Sequence, residues 1–391
     1  MQVIMIRIKY ILENLIALCV KFFCIFPIKN NRIVFSAYSG KSFSCNPKYI
    51  FNKLLELYPN IYDVIWAFNE PEKYDFLKES GATIVKYKSL KYLFYLYTAK
   101  IFVDNVEHWS ILRFRESQIV INTWHGGGTF KQVGADRKDT NEIEKKHVIE
   151  KMNRVNVFVT SSRIFTETTL YGSFHYKNAI IESGMPRNDI LINEQTNSTL
   201  REELLQHFHI DKDTKILLFA PTFRRNGDIP TTTINFPKLM STLNHKFGGK
   251  WHIFIRGHYY MEFGQLSNEI AVRDYITDVT PYSDMQELLL VSDVLITDYS
   301  SSIWDFILMD RPVFLYTPDI NKYYQERTFY WPIENWPCTY AQTIEELIGN
   351  ILMFDNNTYR QRVLHYLNAT GSFEKGTAAD TICKYIKSIT F

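Results

Sequence analysis

Short apolar runs alternate with amphipathic helical stretches along most of the 391-residue chain, and this alternation constrains the fold more than any other feature. Apolar runs of strand length, separated by amphipathic helices, indicate parallel strands whose sheet is covered by helices on both faces. In the first half of the chain, the predicted strands are 32–40, 62–68, 83–87, 100–105, 118–124, 155–161 and 179–183. The sequence therefore predicts an α/β fold.

A break in the pattern separates two halves. Residues 188–199 are polar and carry no apolar period, so they form the predicted linker. Beyond them the predicted strands are 215–221, 251–256, 276–279, 294–298 and 312–316, and residues 372–391 are predicted to form a last helix. We therefore expect two domains, 31–190 and 200–391, that face a central cleft. The last helix is a candidate to cross back to the first domain. In open α/β sheets ligands bind at the carboxyl ends of strands.

The stretch 288–312 is the strongest local signal for a ligand site. The apolar run 294–296 leads through Asp298 into three serines, and a helical pattern follows. Ser300, Ser301 and Ser302 are good N-caps, and Asp305 completes a possible capping box with Ser302. A helix start presents unpaired N–H groups and a positive dipole end, which can hold a phosphate. A well-capped helix that binds nothing stays open as the alternative.

The first thirty residues differ from the rest of the chain. Apolar residues recur there at intervals of four and three, at Ile4, Ile8, Ile11, Leu15, Leu18 and Phe22. Glu13 and Lys21 interrupt the apolar run, so a helix that spans the membrane is not expected. The segment is basic, which predicts an amphipathic helix over residues 1–30 lying in the plane of an anionic membrane surface. A helix that packs on the body of the protein is the alternative.

Two histidine-containing motifs directly follow predicted strands. His125 comes after strand 118–124 and precedes three glycines, 126–128, whose backbone can approach a ligand closely. Histidine is the side chain whose ordinary pKa suits proton transfer near neutral pH. Arg256, Gly257 and His258 end strand 251–256 and form a candidate anion clamp. The alternatives are a tight turn capped by His125 and a surface ion pair of Arg256.

A third group of polar residues, Thr222 with Arg224 and Arg225, follows strand 215–221. Together with the histidine motifs and the serines, these residues place imidazole, guanidinium and hydroxyl groups at one end of two sheets. The sequence contains no DxD pair at a strand end, no P-loop and no complete GxGxxG. A metal-held nucleotide, an ATPase and a dinucleotide oxidoreductase are therefore disfavoured, and we expect neither a metal nor a cofactor.

Composition narrows the class of partner. A net charge of +2 gives no reason to expect nucleic acid. The five cysteines form no CxxC motif and their number is odd, so neither a disulfide framework nor a zinc site is predicted. A reducing cytoplasm is the simplest setting.

Several short motifs, in this order and spacing, resemble the CDP-glycerol glycerophosphotransferase family, which includes teichoic acid primases and polymerases and related capsule enzymes. The resemblance spans about residues 33–386. Its central motifs are Thr123 to Gly126, Ala220 to Arg224, Arg256 to His258 and Thr297 to Ser301. Flanking motifs are 35–40 with Asn46-Pro47, 185–189, Pro312, Tyr316, Asp319, 327–330 and 372–374.

The resemblance implies a GT-B architecture and peripheral attachment to the cytoplasmic face of the cell membrane. It also implies transfer of a polyol phosphate from CDP-glycerol or CDP-ribitol to a lipid-linked glycan or polyol-phosphate acceptor. By match to the family motifs, His125 is expected to be the general base, and His258 with Arg256 to contact the donor diphosphate. The other residues expected to bind substrate are Ser300, Ser301, Thr222, Arg224, Gly126, Asp298 and Arg327.

Three departures from the family pattern border the expected site. Cys45 stands where members commonly carry an aspartate before Asn46-Pro47, glycines 126–128 replace Gly-Thr-Pro, and Tyr259 replaces a proline after the Arg-x-His unit. They leave the polyol, the acceptor, the pathway and the choice between primase and polymerase open. A GT-B glycosyltransferase that uses a nucleotide sugar, and a membrane-associated protein that only binds polymer, are the alternative functions.

Overall fold

A computed structural model describes residues 2–127, 131–222, 234–257 and 274–391, with the backbone alone described at residues 2–9 and 326. Two parallel sheets organise the chain. The first has seven strands in the order β3-β2-β1-β4-β5-β6-β7, which is a doubly wound order. Its strands are β1 Lys29–Phe35, β2 Asp63–Phe68, β3 Thr83–Lys86, β4 Ala99–Asp104, β5 Ile119–Asn122, β6 Val157–Thr160 and β7 Ala179–Glu182.

The second sheet repeats this plan with six described strands in the order β10-β9-β8-β11-β12-β13. All of its pairings are parallel. Its strands are β8 Lys215–Ala220, β9 Trp251–Ile255, β10 Ile276–Asp278, β11 Val294–Thr297, β12 Val313–Tyr316 and β13 Thr339–Ala341.

Helices cover both faces of each sheet. We number the described α-helices α1 Gln2–Val20, α2 Cys45–Leu57, α3 Leu90–Thr98, α4 Glu142–Met152, α5 Arg163–Phe165, α6 Asp189–Asn193, α7 Ser198–His207, α8 Phe236–Phe247, α9 Met285–Val291, α10 Ser302–Phe306, α11 Ile320–Glu326, α12 Ile344–Leu352, α13 Asn356–Thr370 and α14 Ala378–Thr390. Short 3-10 segments are Lys21–Ile25, Pro71–Ser80, Gly134–Asp136, Pro186–Asn188, Ile307–Met309 and Ile333–Asn335, and Thr166–Ser173 is a π-helical turn.

The strand β1 shows why apolar runs give this architecture. Ile33, Val34 and Phe35 are all fully buried. Val34 packs into a cluster on one face of the sheet, whereas Ile33 and Phe35 pack into another cluster on the opposite face. A strand buried on both faces needs apolar residues at every position, which is the pattern the sequence carries.

The prediction of two Rossmann-like α/β domains is confirmed. The central strands lie where the apolar runs predicted them, with ends that differ by a few residues. The predicted linker is partly helical, because α6 and the start of α7 fall within residues 188–199 and Leu191 is buried in the core of the second domain. The strand β13 was not predicted.

The carboxyl-terminal helix α14 packs against α2 of the first domain, where Ile382, Cys383 and Ile386 share a core cluster with Ile50. The start of α14 is held by Asp189, whose carboxylate accepts hydrogen bonds from the N–H groups of Ala378 and Ala379, at 3.0 and 2.7 Å. The end of the chain therefore ties the two domains together.

Candidate active site

A cleft of about 480 Å³ lies between the two domains, at the carboxyl ends of their strands. Its walls come from both halves of the chain. The first domain contributes His125, and the second contributes Thr222, Arg256, Ser300 and Ser301. Five of the residues predicted from sequence therefore meet around one cavity.

His125 is held in one tautomer by the backbone. Its Nδ1 lies 2.8 Å from the carbonyl oxygen of Asn105. A carbonyl can only accept, so Nδ1 carries the proton in the neutral ring and Nε2 keeps a lone pair. Burial lowers the pKa of His125 to about 4, against the opposing effect of the Asn105 carbonyl. The imidazole is therefore neutral at pH 7 and able to take up a proton at Nε2.

Asn46 fixes the loop that carries His125. Its side-chain amide donates to the carbonyl of Trp124 at 3.0 Å and to that of Thr123 at 3.3 Å. Its Oδ1 accepts from the backbone N–H of Arg187 at 3.0 Å. Asn46 is fully buried at the start of α2, so its polar atoms need partners, and these bonds join that helix to the loop that carries His125 and to the segment that carries Arg187.

Arg187 connects the histidine loop to the second domain. Its guanidinium donates to the carbonyl of His125 at 2.7 Å and to the thiol sulfur of Cys45 at 3.3 Å. It also pairs with Asp305 across the domain boundary, at 2.8 and 3.1 Å to the two carboxylate oxygens. Burial disfavours the charge of Arg187, but the combined attractions of Asp305, Cys45 and Tyr38 outweigh it and raise the pKa of Arg187. The guanidinium therefore stays charged.

Three residues around this arrangement have left-handed backbone conformations although they are not glycine. Their φ values are +49° at Tyr38, +58° at Cys45 and +51° at Trp124. Such conformations persist only where the surrounding contacts hold them, and they concentrate at functional sites. The N–H of Tyr38 donates to Asn105 Oδ1 at 2.8 Å, and its ring lies 5.6 Å from that of His125.

The opposite wall of the cleft is built from the ends of β8 and β9. Arg256 donates to the carbonyl of Tyr282 at 2.7 Å, and the N–H of Gly257 donates to Thr280 Oγ1 at 2.8 Å. Burial lowers the pKa of Arg256 from its ordinary value, with Asp284 opposing. The guanidinium is thus anchored by one edge at the surface of the cavity.

Asp298 does not line the cleft but holds a residue that does. Its carboxylate accepts from the backbone N–H of Thr222 at 2.9 Å and from its hydroxyl at 3.1 Å. Asp298 is fully buried and is not among the described residues that line the cleft. It positions Thr222 at the end of β8.

The serine turn after β11 differs from its predicted form. Ser300 Oγ accepts from the N–H of Ser302 at 3.3 Å and from its hydroxyl at 2.9 Å. The predicted capping box between Ser302 and Asp305 is wrong, because the carboxylate of Asp305 pairs with Arg187 and accepts from Gln286 at 2.9 Å. Leaving a buried guanidinium without a carboxylate costs more free energy than leaving a short helix without a cap.

The remaining predicted residues fall in different places. Gly126 lies beside Ser301, since a Cβ on Gly126 would stand 3.4 Å from the Ser301 Cβ. Arg327 is not among the described residues that line the cleft. The neighbouring Thr328 accepts from the N–H of Gln132 at 2.9 Å, which joins this motif to the first domain. Arg224 and His258 lie outside the described residues.

The sequence reasoning gave no role to several residues that build the site, although Tyr38, Asn46 and Arg187 lie within the flanking family motifs. Arg187, Asn105 and Tyr38 each follow a strand, so their positions could have been suspected from the rule that placed His125. The role of Asn46 had no such signal, because it begins a helix and its partners are more than seventy positions away.

Similarity to known proteins extends over nearly the whole chain. Residues 18–388 match the family model described as CDP-Glycerol:Poly(glycerophosphate) glycerophosphotransferase. The chain belongs to this family. The teichoic acid poly(glycerol phosphate) polymerase of Bacillus spizizenii is 28% identical over 97% of this chain and 98% of that protein. The poly(ribitol-phosphate) polymerase of the same organism is 29% identical over 84% of this chain and 52% of that protein.

A solved structure of the wall teichoic acid polymerase TagF, in a variant soaked with CDPG, superposes with a TM-score of 0.81. The two chains are 25% identical in sequence, and the superposition covers 98% of this chain and 98% of that chain. The expected GT-B arrangement is thereby confirmed at the level of two Rossmann-like domains.

Two further observations concern the described residues alone. None of their helices combines the length and the apolar character needed to cross a bilayer. Among them, no group of three or more His, Cys, Asp and Glu side chains is placed to hold a metal ion.

Proposed function

We propose that the protein transfers glycerol phosphate from CDP-glycerol to a hydroxyl of a membrane-bound acceptor, with release of CMP, in teichoic acid synthesis. Family membership supports the reaction class. The observation that carries the assignment to this cleft is the convergence of a neutral histidine from one domain with an arginine and hydroxyl side chains from the other.

His125 is the proposed general base. The acceptor hydroxyl gives its proton to Nε2 while its oxygen forms a bond to the phosphorus of the glycerol phosphate. The bond between that phosphorus and the bridging oxygen of the diphosphate breaks, and CMP leaves with the bridging oxygen. A base whose proton-accepting nitrogen is fixed by a backbone carbonyl needs no reorientation before the transfer.

The second domain is proposed to bind the donor. Arg256 supplies a fixed positive charge, and Ser300, Ser301 and Thr222 supply hydroxyl donors along the same wall. Charge that develops on the transferring phosphoryl group is stabilised by such preorganised donors. Gly126, Arg224, His258 and Arg327 complete the proposed binding set, and Asp298 supports it through Thr222.

The matched pair His125→Ala and His365→Ala tests the base. His365 is an exposed histidine on α13 and serves as the control. We expect His125→Ala to lower kcat for CMP release about 100-fold or more, because that is the usual contribution of a general base. The rise in melting temperature given by CDP-glycerol should remain. Near-parental CMP release by His125→Ala would exclude the assignment.

The same thermal-shift measurement identifies the donor. CDP-glycerol, CDP-ribitol and UDP-sugars are compared at equal concentration with the parental protein. Stabilisation by either CDP-polyol, and none by UDP-sugars, is expected. Stabilisation by UDP-sugars alone would favour the nucleotide-sugar glycosyltransferase instead.

We also propose that α1 attaches the protein to the cytoplasmic face of the cell membrane. One face of α1 is apolar and open to solvent, with Ile11, Leu12, Leu15, Ile16 and Leu18 between 48% and 62% exposed. The opposite face, which carries Glu13, Ala17 and Val20 at helical spacing, turns toward the protein. A helix that only packs on the body of a soluble protein would bury its apolar face and expose its polar face. The exposed apolar face of α1 instead fits an anionic membrane surface.

Removal of residues 1–28 should shift the protein from sedimenting with anionic liposomes to the supernatant, while CDP-glycerol still raises the melting temperature. Because Ala17 and Val20 are buried, a milder variant carrying Leu15→Ser and Leu18→Ser is made in parallel. The control is Met353→Ser, another exposed apolar residue. Unchanged sedimentation of the double variant would refute the attachment.

A further inference from the structure

The segment 282–287 of the second domain holds the arginine of the cleft. The carbonyl of Tyr282 accepts from Arg256 at 2.7 Å and anchors the guanidinium. Two residues further along the chain, Asp284 Oδ1 accepts from the N–H of Gln286 at 2.9 Å and caps the start of α9. One short segment therefore positions both the guanidinium of Arg256 and a buried carboxylate that acts on it electrostatically.

A lysine of the first domain reaches this carboxylate across the domain boundary. Lys48 lies on α2, and its ammonium nitrogen is 2.5 Å from Asp284 Oδ2 and 2.6 Å from Glu287 Oε1. The hydroxyl of Tyr49 donates to the same oxygen of Asp284 at 3.2 Å. The side chains of Lys48 and Asp284 are only 12% and 1% exposed, so solvent and salt screen their charges little.

Lys48 and Arg256 share the carboxylate of Asp284. Burial disfavours the charge of Lys48, but the attractions of Asp284 and Glu287 outweigh it and raise the pKa of Lys48. The ammonium group is therefore charged at neutral pH. Burial lowers the pKa of Arg256, and the attraction of Asp284 opposes that effect. Two cations from opposite domains thus compete for one buried anion.

The two cations differ in what they face. Arg256 lines the cleft, whereas neither Lys48 nor Asp284 is among the described residues that line it. Without Lys48, the carboxylate of Asp284 would hold Arg256 more strongly, and its unbalanced negative charge would repel an anionic ligand. With Lys48 in place, the carboxylate is neutralised from the other domain, and the positive charge of Arg256 acts on the cleft.

We propose that Lys48 is a positioning residue for the donor: it neutralises Asp284 and so leaves Arg256 available to the diphosphate of CDP-glycerol. This inference rests on the proposed function, and it makes the donor affinity of the second domain depend on its contact with the first. The donor wall is complete only when α2 is docked against the segment 282–287.

The test uses the full-length protein with Lys48→Met, with Asp284→Asn and with both changes combined. Lys48→Met keeps much of the length of the side chain and removes the charge. Asp284→Asn removes the competing charge and keeps an oxygen that can cap α9. Lys48→Arg restores a cation at the same position. The control is Lys53→Met, since Lys53 is another lysine of α2 and pairs with Glu56 of the same helix at 2.6 Å.

Equilibrium dialysis of CDP-glycerol without acceptor measures the donor affinity of each variant. Lys48→Met should raise the Kd about tenfold, the scale expected for one unbalanced charge near a charged ligand. Asp284→Asn should bind CDP-glycerol at least as tightly as the parental protein, because Arg256 loses a competing partner. The combined variant should return to within about twofold of the parental Kd, since the two changes act on one interaction. Lys48→Arg and Lys53→Met should keep the parental Kd.

An ion pair that only holds the domains together predicts a different pattern. Loss of either partner would then disturb the wall, so Lys48→Met and Asp284→Asn would both weaken donor binding and their combination would not recover it. That pattern, or a parental Kd in Lys48→Met, would overturn the proposal. If Lys48→Met is too unstable to assay, Asp284→Asn still decides, because weaker binding by this variant contradicts a competing carboxylate.

The dialysis needs no turnover, so it separates this inference from the proposed function. Absence of CMP release from CDP-glycerol by the parental protein, with acceptor present, would refute the proposed function. The Kd values for CDP-glycerol would still show whether Lys48 acts on the donor through Asp284.

Discussion

Replacing Arg187 by methionine should destabilise the protein strongly, because it leaves a buried carboxylate without its partner. The side chains of Arg187 and Asp305 are only 5% and 3% exposed, so solvent screens their interaction little. Removing one member of a buried ion pair costs about 3–5 kcal/mol. At about 2–4 °C per kcal/mol for a domain of this size, the melting temperature should fall by about 10 °C.

The double variant Arg187→Met with Asp305→Leu separates the ion pair from simple loss of packing. With both charges gone, neither is buried alone, so the double variant should be more stable than Arg187→Met and the coupling should be about 2 kcal/mol or more. Urea unfolding followed by tryptophan fluorescence gives the midpoints and slopes. The control is Lys145→Met, because Lys145 pairs with Glu142 at the surface with side chains 34% and 88% exposed, and its expected cost is below about 0.5 kcal/mol. Additivity of the two single changes within about 0.5 kcal/mol would refute the reasoning.

Three further predictions concern pH and space. Burial lowers the pKa of His108 to about 3. As the pH drops below about 6.5, the unfolded chain therefore binds a proton that the folded protein does not bind, and the free energy of unfolding falls. His108→Leu should remove about 1.4 kcal/mol per pH unit of that slope in urea unfolding between pH 4 and 6, and an unchanged slope would contradict it. Burial raises the pKa of Glu374 to about 8, so stability falls as pH rises from about 4.3 to 8, and Glu374→Gln should flatten this range while it still accepts the hydrogen bond of the Met185 N–H. Parallel pH profiles of Glu374→Gln and the parental protein would contradict this account. A Cβ on Gly127 would stand 2.7 Å from Ser161 Oγ, so Gly127→Ala should cost about 1–3 kcal/mol by thermal unfolding, whereas Gly349→Ala, with open space around it, should cost nothing. If the two alanine variants are equally stable, the turn at Gly127 accommodates the added methyl group without cost.

Sequence reasoning located the site through strand ends. Once apolar runs are read as parallel strands, the residues that follow them must gather at one edge of each sheet, and this placed His125, Thr222 and Arg256 in one cleft. The rule works because strand burial is a local property of the sequence. The three-residue strand β13 was missed since it carries too short a run for any pattern.

The partners of these residues could not be predicted in the same way. Asp305 satisfies the local rule for a capping box, but in the fold it meets Arg187, which lies 118 positions earlier. The linker was read as irregular because it is polar, yet Leu191 within it is buried against the second sheet and stabilises a helix there. In both cases a tertiary contact outweighed a local preference that is weak on its own.

The thiol of Cys45 offers a way to test which groups satisfy Arg187. The sulfur of Cys45 accepts from the Arg187 guanidinium at 3.3 Å. The φ of +58° at Cys45 is a conformation that aspartate adopts more readily than most residues. An aspartate there would give Arg187 a second carboxylate on the side away from Asp305.

Cys45→Asp should therefore rescue the protein from Asp305→Leu. Alone, Asp305→Leu leaves a buried guanidinium without a carboxylate and should cost about 3–5 kcal/mol, whereas the added Cys45→Asp should restore about half of that loss, because the Gln286 contact stays broken. Cys45→Asn supplies a matched side chain without charge and should restore less. The three combinations are compared by urea unfolding at pH 7. If Cys45→Asp and Cys45→Asn rescue equally, the charge of a carboxylate is not what Arg187 requires, and its hydrogen bonds alone hold the histidine loop.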